Sequence, residues 1–262
     1  MIDRVAFEIF GFSVYWYGII IAFGCFLGVF ISCKRSEKYG YSSDNIMDAL
    51  FWVLPLGLVC ARAYYVIFEW GYYSSNPEKI FAIRDGGIAI YGGIIGGLIG
   101  LWLFKKFYKK QQLSFLRLCD IVAPGLAIAQ SVGRWGNFVN QEAYSSFIAP
   151  DWMRFPLAVY IEAIGEWRLA TFFYESVWNL FVFGALMWYS KKEHKNGNVT
   201  LLYMVLYGFG RMFIEGLRAD SLWLIPGYIR VSQLLSGLLV VGGLTLLYYR
   251  NRKNEDLKKN GL

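Results

Sequence analysis

The sequence is poor in the residues that many soluble enzymes use for chemistry. Of its 262 residues only 17% are charged, and one alone is histidine. A single histidine, His194, cannot build a histidine-rich zinc site, and neither a P-loop nor a Rossmann fingerprint is present. We therefore expect no metal and no cofactor.

Cysteine is scarce as well, which excludes a secreted disulfide scaffold. The four cysteines form no CxxC pair, and they lie in or beside apolar runs, where a free thiol behaves as a small packing residue. They are Cys25, Cys33, Cys60 and Cys119.

Apolar residues are abundant instead. The chain is 56% hydrophobic and 19% aromatic, which is more than a soluble domain of this length can bury. Several stretches reach the roughly 20 residues that cross a bilayer. We predict an all-α integral membrane protein, one polytopic domain over residues 1–262, with seven transmembrane helices. The predicted spans are 14–33, 45–68, 86–104, 118–139, 171–190, 199–217 and 229–249.

Basic residues orient these spans. Most Lys and Arg side chains fall in the predicted loops 34–44, 105–117 and 191–198 and in the C-terminal tail. The positive-inside rule places these segments in the cytoplasm and the N-terminus outside. The same rule accounts for the net charge of +7, so we do not expect nucleic acid as a partner. His194 then lies on the cytoplasmic side, where it cannot serve a triad in the outer half of the membrane.

The polar residues within the spans concentrate at one depth. With this orientation they lie in the outer half of the bilayer, where unpaired charges are costly. The sequence therefore predicts a polar chamber open to the outside, and the alternative is a set of structural ion pairs. The residues are Tyr17, Arg62, Tyr91, Arg134, Glu175, Arg211 and Glu215. Asp48 and Asp120 are exceptions, predicted to cap the cytoplasmic starts of their own helices.

The densest polar stretch is segment 133–142, GRWGNFVNQE. Arg134, Asn137 and Asn140 are spaced by three residues and share a helix face. An arginine beside two amides is a donor array suited to a phosphate diester. The alternative is that Arg134 pairs with Glu142 to tie the helix end to its loop.

A second charged stripe lies in segment 207–218, YGFGRMFIEGLR. Arg211, Glu215 and Arg218 follow an i, i+4, i+7 spacing. One alternative is an intrahelical Arg211–Glu215 pair that neutralises itself, with Arg218 reaching the interface. The other is that Arg211 and Arg134 together neutralise one phosphate.

A third segment, 85–93, is glycine-rich and reads DGGIAIYGG. Glycines then recur at 92, 96 and 100, with neighbours at 93 and 97, which is typical of close helix packing. Gly92 and Gly93 beside Tyr91 would also let a ligand approach the backbone and leave the phenol unobstructed.

These segments resemble prolipoprotein diacylglyceryl transferases. The GRxGNFxNxE pattern at 133–142 is a specific signature of that family, and the glycine-rich segment, YGxxRxxxE, Tyr-Gly at 17–18 and Phe-Tyr-Glu-Ser at 173–176 follow in the expected order. The resemblance spans essentially the whole chain. It implies a bacterial cell-membrane transferase that moves diacylglyceryl from phosphatidylglycerol to the lipobox cysteine of a prolipoprotein signal peptide, releasing glycerol phosphate.

The resemblance also implies roles for individual residues. Arg134 would bind the lipid phosphate with Asn137 and Asn140 nearby. The polar wall would be completed by Arg211 with Glu215, and Tyr17 would orient the headgroup. The nucleophile belongs to the substrate, so no cysteine of this chain is needed for the reaction.

The chain departs from the family pattern at three places. Many members have histidine at the position of Tyr91, and a phenol with a reference pKa near 10 is a poor base at neutral pH. Tyr91 is then a hydrogen-bond donor, and the base is either Glu142 or hydroxide aided by the thiol's own acidity. Family members usually have a glycine shortly after the signature, where this chain has Ser145. A His-Pro pair often found before the Phe-Tyr-Glu segment is replaced here by Leu169-Ala170.

Two other classes compete with this interpretation. A membrane carrier for an anionic solute would also place arginines in spans, but it would line both halves of its path and show an internal repeat, which we do not find. A lipid enzyme that uses nucleotide-activated alcohols would need a cytoplasmic metal-binding aspartate cluster, and Asp48 and Asp120 are too sparse for one.

Loop 140–170, rich in aromatics on the outer side, is predicted to be an interfacial cap or a plain solvated loop.

Overall fold

The computed structural model describes residues 3–82, 86–108, 114–225 and 227–259, and the side chains as far as residue 252. The described part is mostly helical. Its helices are α1 Trp16–Lys38, α2 Ser43–Phe68, α3 Trp70–Tyr73, α4 Ile90–Phe107, α5 Phe115–Asn140, α6 Thr171–Tyr189, α7 Asn198–Glu215 and α8 Val231–Lys259, with a 3-10 turn at Pro77–Phe81. Its strands are β1 Val5–Ile9, β2 Phe12–Tyr15, β3 Ala158–Ile161, β4 Glu166–Leu169, β5 Trp223–Ile225 and β6 Ile229–Arg230.

Each predicted span corresponds to one long helix, with ends shifted by up to five residues, except that α8 continues to Lys259, ten residues beyond the predicted end. Within the described ranges, five of these helices are long and apolar enough to cross a membrane: α1, α2, α4, α5 and α8 as far as Arg252. The chain is therefore a multi-pass membrane protein. α6 and α7 have similar lengths and carry Glu175, Arg211 and Glu215 within them.

Residues 32–118 form one compact unit, in which α2 and α4 pack along their lengths. A Cβ atom on Gly96 would lie 2.3 Å from the carbonyl oxygen of Leu56, and one on Gly100 would lie 2.8 Å from that of Trp52. Small residues at these positions let the two backbones approach closely. The predicted packing role is confirmed for both glycines, whereas a Cβ atom on Gly97 would make only an ordinary contact, 3.7 Å from Val53 Cγ1.

α4 begins at Ile90, four residues later than the predicted span. Gly86 and Gly87 precede it with φ angles of +89° and +73°. This left-handed conformation is natural for glycine and cannot continue into a right-handed helix, so the start of the helix is displaced.

Residues 1–31 and 119–262 form the second unit. α6 and α7 pack around a buried cluster that also takes in α5, and α7 packs against α8. The members of that cluster are Ala123, Ala127, Val182, Leu186 and Val199. A smaller cluster of Val159, Ile161, Ala170 and Phe172 joins the β3–β4 hairpin to the start of α6.

Three antiparallel hairpins, β1–β2, β3–β4 and β5–β6, occupy described segments outside the apolar spans. The sequence pattern predicts helices only, so these hairpins are an addition from the structure. Each strand has five residues or fewer, and such short strands carry little periodicity to detect.

The two aspartates predicted to cap their own helices, Asp48 and Asp120, do not do so. α5 begins at Phe115 and α2 at Ser43, so Asp120 and Asp48 lie inside their helices rather than at the starts. The buried Asp120 carboxylate instead caps a different helix, α7, by accepting hydrogen bonds from the backbone nitrogens of Gly197 and Thr200 and from the Thr200 hydroxyl. The prediction was wrong because the helix starts were placed a few residues too late.

Candidate functional site

A buried carboxylate, Glu175, lies at the centre of the charged residues of α5, α6 and α7. Glu175 is 4% exposed and belongs to the first turns of α6. Its Oε2 forms a salt bridge with Nε of Arg134 on α5. Its Oε1 forms a second salt bridge with Nη1 of Arg211 on α7. Arg218 Nη1, just beyond the end of α7, lies 3.5 Å from Oε1. One carboxylate thus gathers three guanidinium groups.

The second carboxylate of the cluster, Glu215, is 2% exposed and pairs with Arg211 within α7. The distance from Arg211 Nη2 to Glu215 Oε2 is 2.6 Å. The intrahelical pair considered as an alternative therefore exists, but it does not isolate Arg211, which also binds Glu175 on the neighbouring helix. Arg211 is shared between two buried carboxylates, so its orientation is fixed from two sides.

Arg218 is fixed by a third acidic side chain, Asp220. Its Nε and Nη2 donate to the two Asp220 oxygens at 2.9 and 2.8 Å, a bidentate arrangement. Burial by itself would raise the pKa of Asp220, but the hydrogen bond and the charge of Arg218 hold this pKa below its ordinary value. Asp220 therefore stays ionised and neutralises part of the excess positive charge of the cluster.

A second polar group stands at the end of α5. Asn137 Nδ2 and Asn140 Nδ2 both donate to Glu142 Oε1, at 2.9 and 3.3 Å, and Arg134 Nη1 lies 3.5 Å from Asn137 Oδ1. The salt bridge of Arg134 is made to Glu175 rather than to Glu142. The structure links Arg134, Asn137, Asn140 and Glu142, which the sequence predicts to lie together, into one chain of contacts.

The backbone around Glu142 is unusual. Gln141 and Ala143, on either side of it, have φ angles of +53° and +56°, which are uncommon for residues other than glycine. The turn is held by Gln141 Oε1, which accepts from the nitrogen of Glu162 at 3.0 Å, and by Thr171 Oγ1, which donates to the Ala143 carbonyl. Strained backbone of this kind concentrates at functional sites, and here it presents the exposed Glu142 beside the two amides.

Ser145 joins the segment after α5 to the segment after α7. Its side chain is buried, its hydroxyl donates to the Leu217 carbonyl at 2.9 Å, and it accepts from the nitrogen of Phe147 at 3.0 Å. A backbone bridge pairs Ser145 with Arg218. The serine found where the family usually has glycine therefore helps to place Arg218.

Tyr17, in the first turn of α1, packs against α5 at Gly136, two residues after the signature arginine. A Cβ atom on Gly136 would lie 2.7 Å from Tyr17 Cδ2, so the tyrosine ring occupies the space that the glycine leaves. The glycine of the GRWGN motif is thus a packing requirement for Tyr17.

Tyr91, Gly92 and Gly93 belong to the unit of residues 32–118. The Tyr91 ring lies 6.3 Å from the ring of Tyr64, centroid to centroid. A Cβ atom on Gly92 would lie 2.3 Å from the Cys60 carbonyl oxygen, so α2 fills the space beside it, whereas Gly93 is more open. Helix packing thus explains Gly92, and its role toward a ligand stays a prediction. Asp85, which opens this glycine-rich segment, lies outside the described residues.

Arg62, placed by the sequence among the chamber residues, organises backbone instead. Its buried guanidinium donates to five carbonyl oxygens at 2.6–3.4 Å and lies 5.2 Å from the centroid of the Tyr73 ring. The carbonyls belong to Lys79, Ile80, Ala82, Gly86 and Gly87. Arg62 therefore ties the segment after α3 to the turn before α4.

No binding or catalytic role was predicted for Glu175 from the sequence. It was only counted among the polar residues of the predicted spans. The signal was present, because an isolated glutamate in an apolar helix must find a cationic partner. Arg134 and Arg211 were available as partners on other predicted spans.

These features define the class of the protein as a helical, multi-pass membrane protein that holds an arginine-rich polar cluster among its helices. A family model described as prolipoprotein diacylglyceryl transferase matches residues 4–249. The chain belongs to this family and is a transferase, so the resemblance seen in the sequence is confirmed.

Curated relatives cover nearly the whole chain. A protein of Limosilactobacillus reuteri (strain DSM 20016) is 42% identical over 272 residues, covering 100% of this chain and 96% of the relative. One of Finegoldia magna is 45% identical over 245 residues, covering 93% and 94%. One of Streptococcus agalactiae serotype Ia is 44% identical over 260 residues, covering 97% and 98%. Each is named phosphatidylglycerol–prolipoprotein diacylglyceryl transferase.

Proposed function

We propose that this chain transfers the diacylglyceryl group of phosphatidylglycerol to the thiol of a lipobox cysteine in prolipoprotein signal peptides. This is the activity that its relatives' names state, and the convergence of Arg134, Arg211 and Arg218 on Glu175 carries the proposal. The peptide sulfur attacks the terminal glyceryl carbon and a thioether S–C bond forms. The C–O bond to phosphate breaks, glycerol phosphate leaves with the electron pair, and the thiol proton goes to a base.

The first requirement of this reaction is a site for the phosphate. Arg134 uses its Nε for Glu175, and its Nη1 makes only a long contact of 3.5 Å to Asn137, so we assign its terminal nitrogens to the lipid phosphate, with Asn137 and Asn140 beside it. Arg211, fixed by Glu175 and Glu215, provides the second cation. Fixed donors of this kind stabilise the charge that grows on the leaving phosphate.

The second requirement is an acceptor for the thiol proton. Both amides donate to Glu142 Oε1, and we assign Oε2 of the same carboxylate to take the proton. Hydroxide, aided by the thiol's own acidity, is the alternative acceptor. Tyr91 acts as a hydrogen-bond donor, Gly92 and Gly93 let the substrate approach beside it, and Tyr17 orients the headgroup. Neither a metal nor a cofactor takes part.

The same proposal places the chain in the bacterial cell membrane as a single domain. The five strongly apolar helices together with α6 and α7 cross it, with the N-terminus outside and the C-terminus in the cytoplasm. The polar cluster then faces the outer leaflet. The loop at 140–170 is an interfacial cap for the signal peptide, an assignment supported by the exposed Phe147, Trp152 and Phe155.

The test is diacylglyceryl transfer in detergent with phosphatidylglycerol and a lipobox peptide. We expect thioether product from wild type and none from Arg134→Ala. Arg252→Ala is the control, because Arg252 is exposed and bonds only weakly to the Tyr248 hydroxyl at 3.4 Å. Activity that survives in Tyr91→Phe would remove the phenol from the required groups, and Tyr91→His should keep or raise the rate.

Two results would contradict the proposal. If wild type makes no thioether from a verified peptide, the transferase activity is refuted and anion transport by a carrier becomes the activity to measure. If proteolytic cleavage within 140–170 in intact vesicles leaves transfer unchanged, the loop is not a cap for the peptide.

A further inference from the structure

The N-terminal hairpin, residues 5–15, has one apolar and one polar face. Residues that pair across an antiparallel ladder lie on the same face, and successive pairs alternate between faces. Between a register shift after Val5–Tyr15 and the turn, three pairs follow one another: Phe7–Val14, Glu8–Ser13 and Ile9–Phe12. The first and third pairs are entirely apolar and share one face. The middle pair is polar, its members lie 3.4 Å apart from Ser13 Oγ to Glu8 Oε1, and it occupies the other face.

The turn of this hairpin adds a fully exposed aromatic side chain. Phe10 and Gly11 are the two turn residues, with φ angles of +50° and +79°. Both angles are positive, as in the tight hairpin turns that usually select asparagine and glycine. Phenylalanine is rare in this conformation, and its side chain is 97% exposed. The tip therefore presents a bulky apolar group where a small polar residue would make the turn more easily.

The apolar face is exposed along the rest of the hairpin too. Phe7 and Ile9 are each 48% exposed and Phe12 is 68% exposed. A contiguous apolar surface of this kind marks contact with a partner or a membrane.

The base of the hairpin is fixed to helices that cross the membrane. β2 ends at Tyr15 and α1, one of the strongly apolar helices, begins at the next residue, Trp16. Arg4 secures this junction, because its carbonyl accepts from the Trp16 nitrogen at 3.1 Å and its Nη2 donates to the Asn140 carbonyl at 3.1 Å, at the end of α5. Tyr15, Trp16 and Tyr17 are exposed at the junction, and tyrosine and tryptophan collect at the level of the lipid headgroups.

We propose that the hairpin is an anchor in the membrane interface. Its apolar face and Phe10 lie at the boundary between the headgroups and the acyl chains, and Glu8 and Ser13 face water. Lipid is the partner that the geometry favours, since the apolar face continues directly into the lipid-covered surface of α1. This proposal needs only a membrane and is independent of the transferase activity.

The experiment measures the depth of two positions on opposite faces. Phe10→Cys and Ser13→Cys are labelled with an environment-sensitive fluorophore and reconstituted in phosphatidylglycerol–phosphatidylethanolamine vesicles. The four native cysteines are first replaced by alanine: Cys25, Cys33, Cys60 and Cys119. An unfolding temperature in detergent close to that of wild type shows that each labelled protein is folded.

The expected result separates the two labels. The label at position 10 should be quenched by lipid that carries a spin label near the top of the acyl chain and protected from aqueous iodide. The label at position 13 should show the reverse, with at least several-fold stronger iodide quenching. Equal iodide quenching at both positions would overturn the proposal. Protection of position 10 that appears only after a lipobox peptide is added would also overturn it, because the peptide would then be the partner.

Discussion

The central role of Glu175 leads to a prediction about the stability of the charge cluster. Glu175→Gln keeps the shape of the side chain but removes the negative charge opposite Arg134, Arg211 and Arg218. It also replaces one acceptor oxygen by an amide donor that faces an arginine. Removing one partner of a buried ion pair costs about 3–5 kcal/mol. The three arginine side chains are 13–21% exposed, so water offsets part of the loss and we expect about 3 kcal/mol.

Thermal unfolding in detergent measures this loss. For a chain of this size, about 2–4 °C in Tm accompanies each kcal/mol, so Glu175→Gln should unfold about 6–12 °C below wild type. Glu166→Gln is the matched control. Glu166 also pairs with an arginine, Arg168, but its side chain is 42% exposed, and such a pair contributes about 0–1 kcal/mol.

Anionic lipid should partly restore the thermal stability of Glu175→Gln. A headgroup with a net negative charge opposite the arginines supplies the missing charge, so added phosphatidylglycerol should raise the Tm of Glu175→Gln more than that of wild type. Phosphatidylcholine, whose headgroup carries no net charge, should not distinguish the two. If Glu175→Gln has the same Tm as wild type, or if both lipids raise its Tm equally, the carboxylate does not balance the charge of the arginines and the reasoning fails.

Three further predictions concern packing, backbone anchoring and capping. Gly96→Ala should destabilise the α2–α4 pair by about 1–3 kcal/mol, because its Cβ would lie 2.3 Å from a carbonyl oxygen. Gly97→Ala is the control, because its Cβ would make only an ordinary contact at 3.7 Å. Equal Tm values for the two variants would contradict the packing role. Arg62→Lys offers three donors where five carbonyls are bonded, so limited proteolysis within 70–82 should be faster, and an unchanged cleavage rate would refute the anchoring role. Asp120→Ala removes the acceptor at the start of α7 and should cost about 0.5–2 kcal/mol; amide exchange in the first turn of α7 should accelerate, and unchanged exchange would show that the cap is dispensable.

The long helices could be located from the sequence because the relevant information is local. A run of apolar residues long enough to cross a bilayer is visible in any short window, and the helices follow the predicted spans within five residues, apart from the C-terminal end of α8. The signature residues Arg134, Asn137, Asn140 and Glu142 could also be grouped, since their short spacing brings them together at the end of one helix. In the same way, the spacing of the glycines in α4 predicted close packing against another helix, which the structure shows to be α2.

Only the tertiary structure decided which partners the buried polar groups take. Asp120 caps a helix that begins 78 residues later in the chain, Arg62 binds backbone carbonyls of a distant segment, and Glu175 gathers arginines from two other helices. Sequence spacing within a helix fixes the face on which a residue lies, but not the helix that packs against that face. A buried charge has to be compensated wherever the fold allows. The sequence therefore determined the spans and the local motif, and the packing of α5, α6 and α7 made Glu175 the centre of the site.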